Sequence, residues 1–203
     1  RQGLGGYPRQ FSSVIAHPAM TARLAQQYNA APMFEDRAVP HFEAMRNETN
    51  RQFDYLTSSR HRGGLGVNVE VTAHDPYERP AEQMLHDITH NNRLAVMSTK
   101  STGGHPFFTD DENDRFRAVH DAFGHLGTGR GVDRHGEEAA YQSHARMFTP
   151  LARRALATET RGQNSAMISA GGVFAPQKVA VLSDATRAFT PLVGRRTAEA
   201  QAH

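Results

Sequence analysis

The sequence predicts a mostly α, α+β fold: a helical core, a small two-stranded β element and an extended N-terminal arm. Three observations predict it. Apolar residues recur at three- and four-residue steps in several separate stretches, the signature of helices with one buried face. Only two short stretches, near residues 66–72 and 94–98, read as strands. Residues 1–35 are rich in Gly, Pro, Gln and Ala and hold no sustained period, which is the composition of an arm. At 203 residues the chain suits one sizeable core. We therefore expect an arm over 1–35 and a single domain over 36–203.

Within the arm, Ala19 to Tyr28 carries at most a helical turn or two. Pro40 sits at the first turn of a helix. Phe42, Met45, Thr49, Phe53 and Leu56 then fall on one stripe. Gly63-Gly64 ends that segment. From Gly66 to Thr72 apolar and polar residues alternate, so this strand is expected to be half-buried. A helix follows from about Pro80 to Asn91, and Leu94 to Ser98 reads as the second strand. After a Gly-rich loop, Thr109 and Glu112 have capping-box spacing. The helix they open carries Phe116, Val119, Phe123 and Leu126. Another glycine-containing loop runs from Gly127 to Gly136. The helical pattern from Glu137 breaks at Thr149-Pro150, where a Thr cap and a first-turn Pro start a new helix reaching about Gly162. Gly171-Gly172 is a turn. A helix is expected over 174–189 after Pro176, with a frayed tail from Arg195.

Composition removes several classes of function. The chain has no cysteine, so disulfides, iron–sulfur clusters and cysteine nucleophiles are excluded. Any metal must be held by His, Asp or Glu. Reducing cytosol fits, and a cytoplasmic protein is expected. No apolar run approaches the length of a membrane-spanning helix. No charged stretch followed by an apolar one opens the chain, so no signal peptide is expected. The first residue is Arg1 and not Met, which we read as a trimmed, processed or partly ordered product. Net charge is +2. The basic groups at Arg60 to Arg62, Arg153-Arg154 and Arg195-Arg196 are scattered and lack interleaved aromatics. That argues against a nucleic-acid interface.

The chemistry concentrates between Phe116 and Leu126, where His120, Asp121 and His125 fall within six residues. Two histidines five apart lie about 140° apart on an ideal helix. Gly124 is expected to close the helix, so that His125 swings back toward His120. Asp121 and His125, four apart, face one another. His120 falls between Phe116 and Phe123, at the edge of the apolar stripe. A third ligand is needed, and Glu137, Glu138, His144 and Glu159 are the candidates. Glu137, Tyr141, His144 and Phe148 share one helix face, which makes His144 a ligand or a support for one. Phe107, Phe108 and Phe123 are candidates for a pocket lining. His86 and His90 imitate a zinc-protease spacing, but His86 points away from the apolar face of its helix and both read as surface residues. The glycines at 63, 64 and 66 follow no strand and precede no P-loop lysine, so they form a turn.

One resemblance follows from these residues. Gly104-His-Pro-Phe-Phe-Thr-Asp-Asp-Glu-Asn113, then His120-Asp-Ala-Phe-Gly-His125, resembles the catalytic core of the pterin-dependent aromatic amino acid hydroxylases over about residues 97–162. That family has a Pro-aromatic-Thr lead-in, then two iron-binding histidines around a Gly, then a glutamate late in a following helix. The resemblance implies His120, His125 and Glu159 as iron ligands. It also implies Asp121 on the pterin side, with Phe107 and Phe108 near the cofactor. The Pro-Asp that the family carries ahead of the first histidine is replaced by Arg115 and Arg117, and the chain is shorter than a usual catalytic domain of that family.

The expected protein is thus a mononuclear non-haem iron(II) oxygenase or hydroxylase, with residues 36–203 as one metal-binding catalytic domain. Asp121 and His144 are the expected catalytic groups beside the metal. A small-molecule substrate and dioxygen are the expected partners. A tetrahydropterin and an aromatic substrate follow from the resemblance alone, and a homo-oligomer built through the arm is a further expectation. Two alternatives stand beside it. One is a zinc hydrolase on the same histidines, with Asp121 or Glu138 as base. The other is a non-enzymatic viral or assembly module.

Overall fold

The computed structural model describes Phe11 and residues 13–186. The described residues form a mostly helical body with one small parallel sheet. The expected tail from Arg195 lies outside them, as do residues 1–10 and 12 of the arm.

The remainder of the arm belongs to the body. Helix α1 (Pro18–Ala30) buries Leu24, Ala25 and Tyr28. The Tyr28 hydroxyl donates to Pro176 O at 2.7 Å, and Lys178 Nζ donates to Tyr28 O at 2.8 Å and Ala31 O at 2.6 Å. The expectation of a turn or two missed this helix because its exposed sides are Gln- and Ala-rich. Its three buried residues are paid for by contacts with distant segments, which no local period reveals.

Helix α2 (Val39–Thr57) places Phe42, Met45, Thr49 and Leu56 in the core as the periodicity predicts. Full burial of an apolar side chain such as Phe42, Met45 or Leu56 stabilises by about 1.5–3 kcal/mol. Two polar residues of α2 are buried as well, and each does a job. Glu48 accepts from Thr149 N at 2.8 Å and from Thr149 Oγ1, fixing the start of a later helix. Gln52 reaches His144.

Strand β1 (Asn68–Thr72) and strand β2 (Arg93–Met97) pair in parallel, Asn68 opposite Arg93 and Thr72 opposite Met97. A parallel pair needs a crossover. Helix α3 (Pro80–His86), extended by a π turn over Asp87–Asn91, supplies it. Leu94, Ala95 and Val96 of β2 are buried, whereas Val71 of β1 is half-exposed. The alternation in β1 predicts a more buried strand; with only two strands, one flank of β1 has no neighbour in the sheet.

Helix α4 (Asp110–His120) opens on the capping box: Thr109 Oγ1 accepts from Glu112 N, and Glu112 accepts from Thr109 N at 3.0 Å. Helix α5 (Arg134–His144) is capped by Asp133, whose Oδ1 accepts from His135 N and Gly136 N at 2.8 and 3.0 Å. Helix α6 (Pro150–Ala157) starts at the Thr149 cap, passes through a π turn over Thr158–Gly162, and continues as α7 (Gln163–Ser169). Helix α2 packs on α4 and α6, and α1 packs on α7.

No helix forms between residues 174 and 186. This part of the expected 174–189 helix is extended because its backbone bonds go elsewhere: Val179 N donates to Met33 O at 2.9 Å and Glu35 N to Val179 O at 2.8 Å. Among the described residues, no helix is long and apolar enough to cross a membrane.

Candidate metal centre

Helix α4 does not stop at Gly124. It continues as a π turn over Asp121–Leu126. The i→i+5 bonding of a π turn adds a residue per turn, so positions five apart come onto one face. That resolves the poor α-helical spacing of His120 and His125, whose ring centroids are 5.2 Å apart with planes at 84°. Gly124 serves close packing instead of termination. A Cβ there would sit 3.1 Å from Ala140 Cβ, 3.2 Å from Ala140 O and 3.3 Å from His120 Cε1. Hydroxyls satisfy the carbonyls around the turn. Ser143 Oγ donates to Phe123 O at 2.9 Å, and Thr128 Oγ1 donates to Gly124 O at 2.8 Å.

Helix α5 brings the carboxylate. Glu137 Oε1 lies 3.5 Å from His125 Nε2 and Glu137 Oε2 lies 3.9 Å from His120 Nε2. One donor atom from each of the three residues falls within 4.8 Å of the others, the one such group among the described residues. Ligands held at about 2.1 Å from a common ion sit roughly 3–3.4 Å apart. A small contraction therefore suffices to close on a metal.

The hydrogen-bond network assigns the ring protons. Gln52 Nε2 donates to Met147 O at 3.3 Å, which turns Oε1 toward His144. His144 Nε2 then donates to Gln52 Oε1 at 2.7 Å, leaving His144 Nδ1 bare. His120 Nδ1 donates to that atom across 3.2 Å, so His120 Nε2 keeps its lone pair. His125 Nδ1 donates to Arg130 O at 3.2 Å, with the same result. Both bare nitrogens face Glu137. Donation of the outer ring N–H to a fixed acceptor is how metal-binding histidines are oriented.

The remaining candidates fall into separate places. Asp121 lines the cavity beside the histidines, and burial pushes its carboxyl up to about 6. His144 is fully buried, and that burial holds its pKa well below the usual histidine value. It touches His120, so it positions a candidate ligand and is not itself a cavity group. Glu138 is committed to a buried ion pair with Arg161. Glu159, the carboxylate implied by the resemblance, is not in the three-residue group; its Oε1 lies 3.1 Å from His105 Nε2. This placement has a local cause. The π turn over Thr158–Gly162 carries Glu159 toward the loop after β2, while Glu137 enters from the helix packed directly on His120 and His125.

The aromatic expectations also change. Phe107 and Phe108 pack on Phe42 with centroids 5.8 Å away, and Phe123 stacks on Tyr55, so none of the three lines the cavity. Phe116 does, together with Tyr77 and Phe174. His86 and His90 are exposed and stacked with centroids 4.4 Å apart, as surface residues.

The three-residue group opens on a cavity of about 730 Å³. Met84, Val96, Met97, Phe116, Met167 and Phe174 form its apolar walls. Arg117 stands in the wall with its guanidinium bound to Met97 O at 3.0 Å and Thr102 Oγ1 at 2.8 Å. Gln52 and Arg117 were missed as site residues. Gln52 lies far away in sequence, and Arg117 stands in the sequence only as a departure from the family pattern. Compared with protein-family profiles, curated proteins and solved structures, the chain matches none.

Proposed function

We propose that the chain is a metal-dependent enzyme in which His120, His125 and Glu137 hold one iron(II) ion, and that it oxygenates a small molecule bound in the adjoining cavity. One observation carries this: two imidazoles are each fixed with a bare Nε2 facing the same carboxylate at the edge of a half-open, largely apolar cavity. Two neutral imidazoles and one carboxylate are the donor set of non-haem iron(II) oxygenases, and such an ion supplies dioxygen activation at its open positions. His144 and Gln52 orient His120. Arg130 O orients His125. The apolar walls give the substrate's apolar part a surface beside the ion. Asp121, in the cavity wall beside the histidines, is placed to hold or accept a proton. The partial resemblance to aromatic amino acid hydroxylases supports the iron assignment. It gives less support for a pterin, since Phe107 and Phe108 are committed to the core. A cytoplasmic location is part of the same reading.

A second reading draws on Asp121. Two histidines and a glutamate also hold catalytic zinc, and Asp121, in the cavity wall beside them, is placed to act as base for zinc-bound water. The two are separated by loading the chain anaerobically with iron(II) or with zinc. Oxygenation predicts that nitric oxide binds the iron form and gives its characteristic EPR signal. If the iron form ignores nitric oxide while the zinc form hydrolyses p-nitrophenyl acetate, with that activity lost in Asp121→Asn, the hydrolase takes its place.

A further inference from the structure

Glu159 is a buried carboxylate that the metal centre leaves unused. Its side chain is 1% exposed, yet it stands in the wall of the same cavity. Neither oxygen has a strong partner. Oε1 lies 3.1 Å from His105 Nε2, but out of line for the ring N–H, and has no aligned hydrogen bond. Oε2 has only Gln177 Nε2 at 3.5 Å.

His105 cannot neutralise it. Its Nδ1 accepts from Phe107 N at 3.0 Å and Phe108 N at 2.9 Å, so that nitrogen carries no proton and the ring is neutral. The same argument keeps the proton on Nε2 and rules the pair out as a second metal site. The nearby cations are engaged by other groups. Arg117 donates to Met97 O and Thr102 Oγ1, Arg161 pairs with Glu138, and Lys178 donates to the carbonyls of Tyr28, Asn29 and Ala31. Arg117 lies close enough to attract Glu159 electrostatically, but its guanidinium hydrogen bonds go to Met97 O and Thr102 Oγ1. A buried carboxylate oxygen left without a hydrogen bond is costly. The cavity lining as a whole leans the same way, with Asp75, Asp121, Glu137 and Glu159 set against Arg117 alone.

We propose that Glu159 is the recognition point for a cationic nitrogen, a protonated amine, on the molecule this cavity takes. The amine completes the carboxylate's hydrogen bonds, which His105 and Gln177 leave unfilled. Met97, Phe116, Met167 and Phe174 take the apolar remainder. The inference rests on the proposed function only in treating the occupant as the substrate; amine binding needs no metal.

The test is calorimetric titration of the full chain, metal-free and iron(II)-loaded, with benzylamine, benzyl alcohol and benzoate. Benzylamine should bind roughly tenfold tighter or more than the other two, the difference a charged hydrogen bond makes. Glu159→Gln should erase that preference and leave metal content unchanged. Loss of the metal from Glu159→Gln overturns the proposal, since it makes Glu159 a ligand. Should that variant not fold, the wild-type comparison decides alone: benzyl alcohol or benzoate binding as tightly as benzylamine, or no benzylamine binding, overturns it. A chain that prefers benzylamine but takes up no metal removes the iron assignment and leaves this one standing.

Discussion

His144 Nε2 donates to Gln52 Oε1 across 2.7 Å, joining α5 to α2 over 92 residues of sequence. The bond fixes more than a helix contact. It determines which nitrogen of His144 is bare, which in turn determines the nitrogen that His120 offers to the cavity.

That relation predicts a remote effect on metal affinity. Gln52→Leu should weaken metal binding about 10- to 100-fold, the usual cost of removing a ligand's supporting partner. Gln52→Glu keeps the acceptor but loses the donor to Met147 O, and should retain more affinity than Gln52→Leu. Competition with a chromogenic chelator reads both. Equal affinity in Gln52→Leu would show that the His144 tautomer does not matter.

Gly124→Ala should destabilise the fold by about 1–3 kcal/mol, because its Cβ would press on Ala140 Cβ at 3.1 Å, Ala140 O at 3.2 Å and His120 Cε1 at 3.3 Å. Urea denaturation measures the loss. Two of those atoms belong to the helix that carries Glu137 and the third to His120, a proposed ligand, so metal affinity should fall with stability. A variant as stable as the parent would mean that Gly124 is not a packing requirement.

Asp133→Ala should cost about 1 kcal/mol by removing the cap of α5. Hydrogen bonds from Gly136 N and His135 N hold the Asp133 carboxyl below its ordinary value, against the smaller effect of burial. A carboxyl depressed in the folded state contributes stability above its unfolded pKa, and that contribution is lost as pH falls through the folded value. The parent and Asp133→Ala should therefore differ in melting temperature at pH 7 and converge in strong acid. A gap that persists unchanged there would contradict the cap.

Much of the fold is legible in sequence, for reasons that particular residues make plain. Phe42, Met45 and Leu56 announce α2 because their spacing and their burial have the same period. Thr109, Glu112, Thr149 and Pro150 mark helix starts because capping is local chemistry. Tyr28 and Val179 are different. Their partners are remote, so α1 looked like an arm and the segment after Pro176 looked like a helix.

The candidate site divides in the same way. His120 and His125 stand out because they are close in sequence. What reconciles their five-residue offset is a π turn whose carbonyls depend on Ser143 and Thr128, and whose packing depends on Ala140. None of that is visible in the spacing itself. Glu137 was one of four candidates, and only the packing of α5 on the π turn separates it from Glu159. Gln52 carries no sequence signal at all, since a buried glutamine on an amphipathic helix reads as a surface residue until its partner is known.

The most direct measurement is metal content, by elemental analysis, of the iron(II)-loaded chain beside Glu137→Gln and Glu159→Gln. One ion per chain is expected in the parent and in Glu159→Gln, with Glu137→Gln largely depleted. Full occupancy in Glu137→Gln together with depletion in Glu159→Gln would contradict the assignment of His120, His125 and Glu137 as the metal centre.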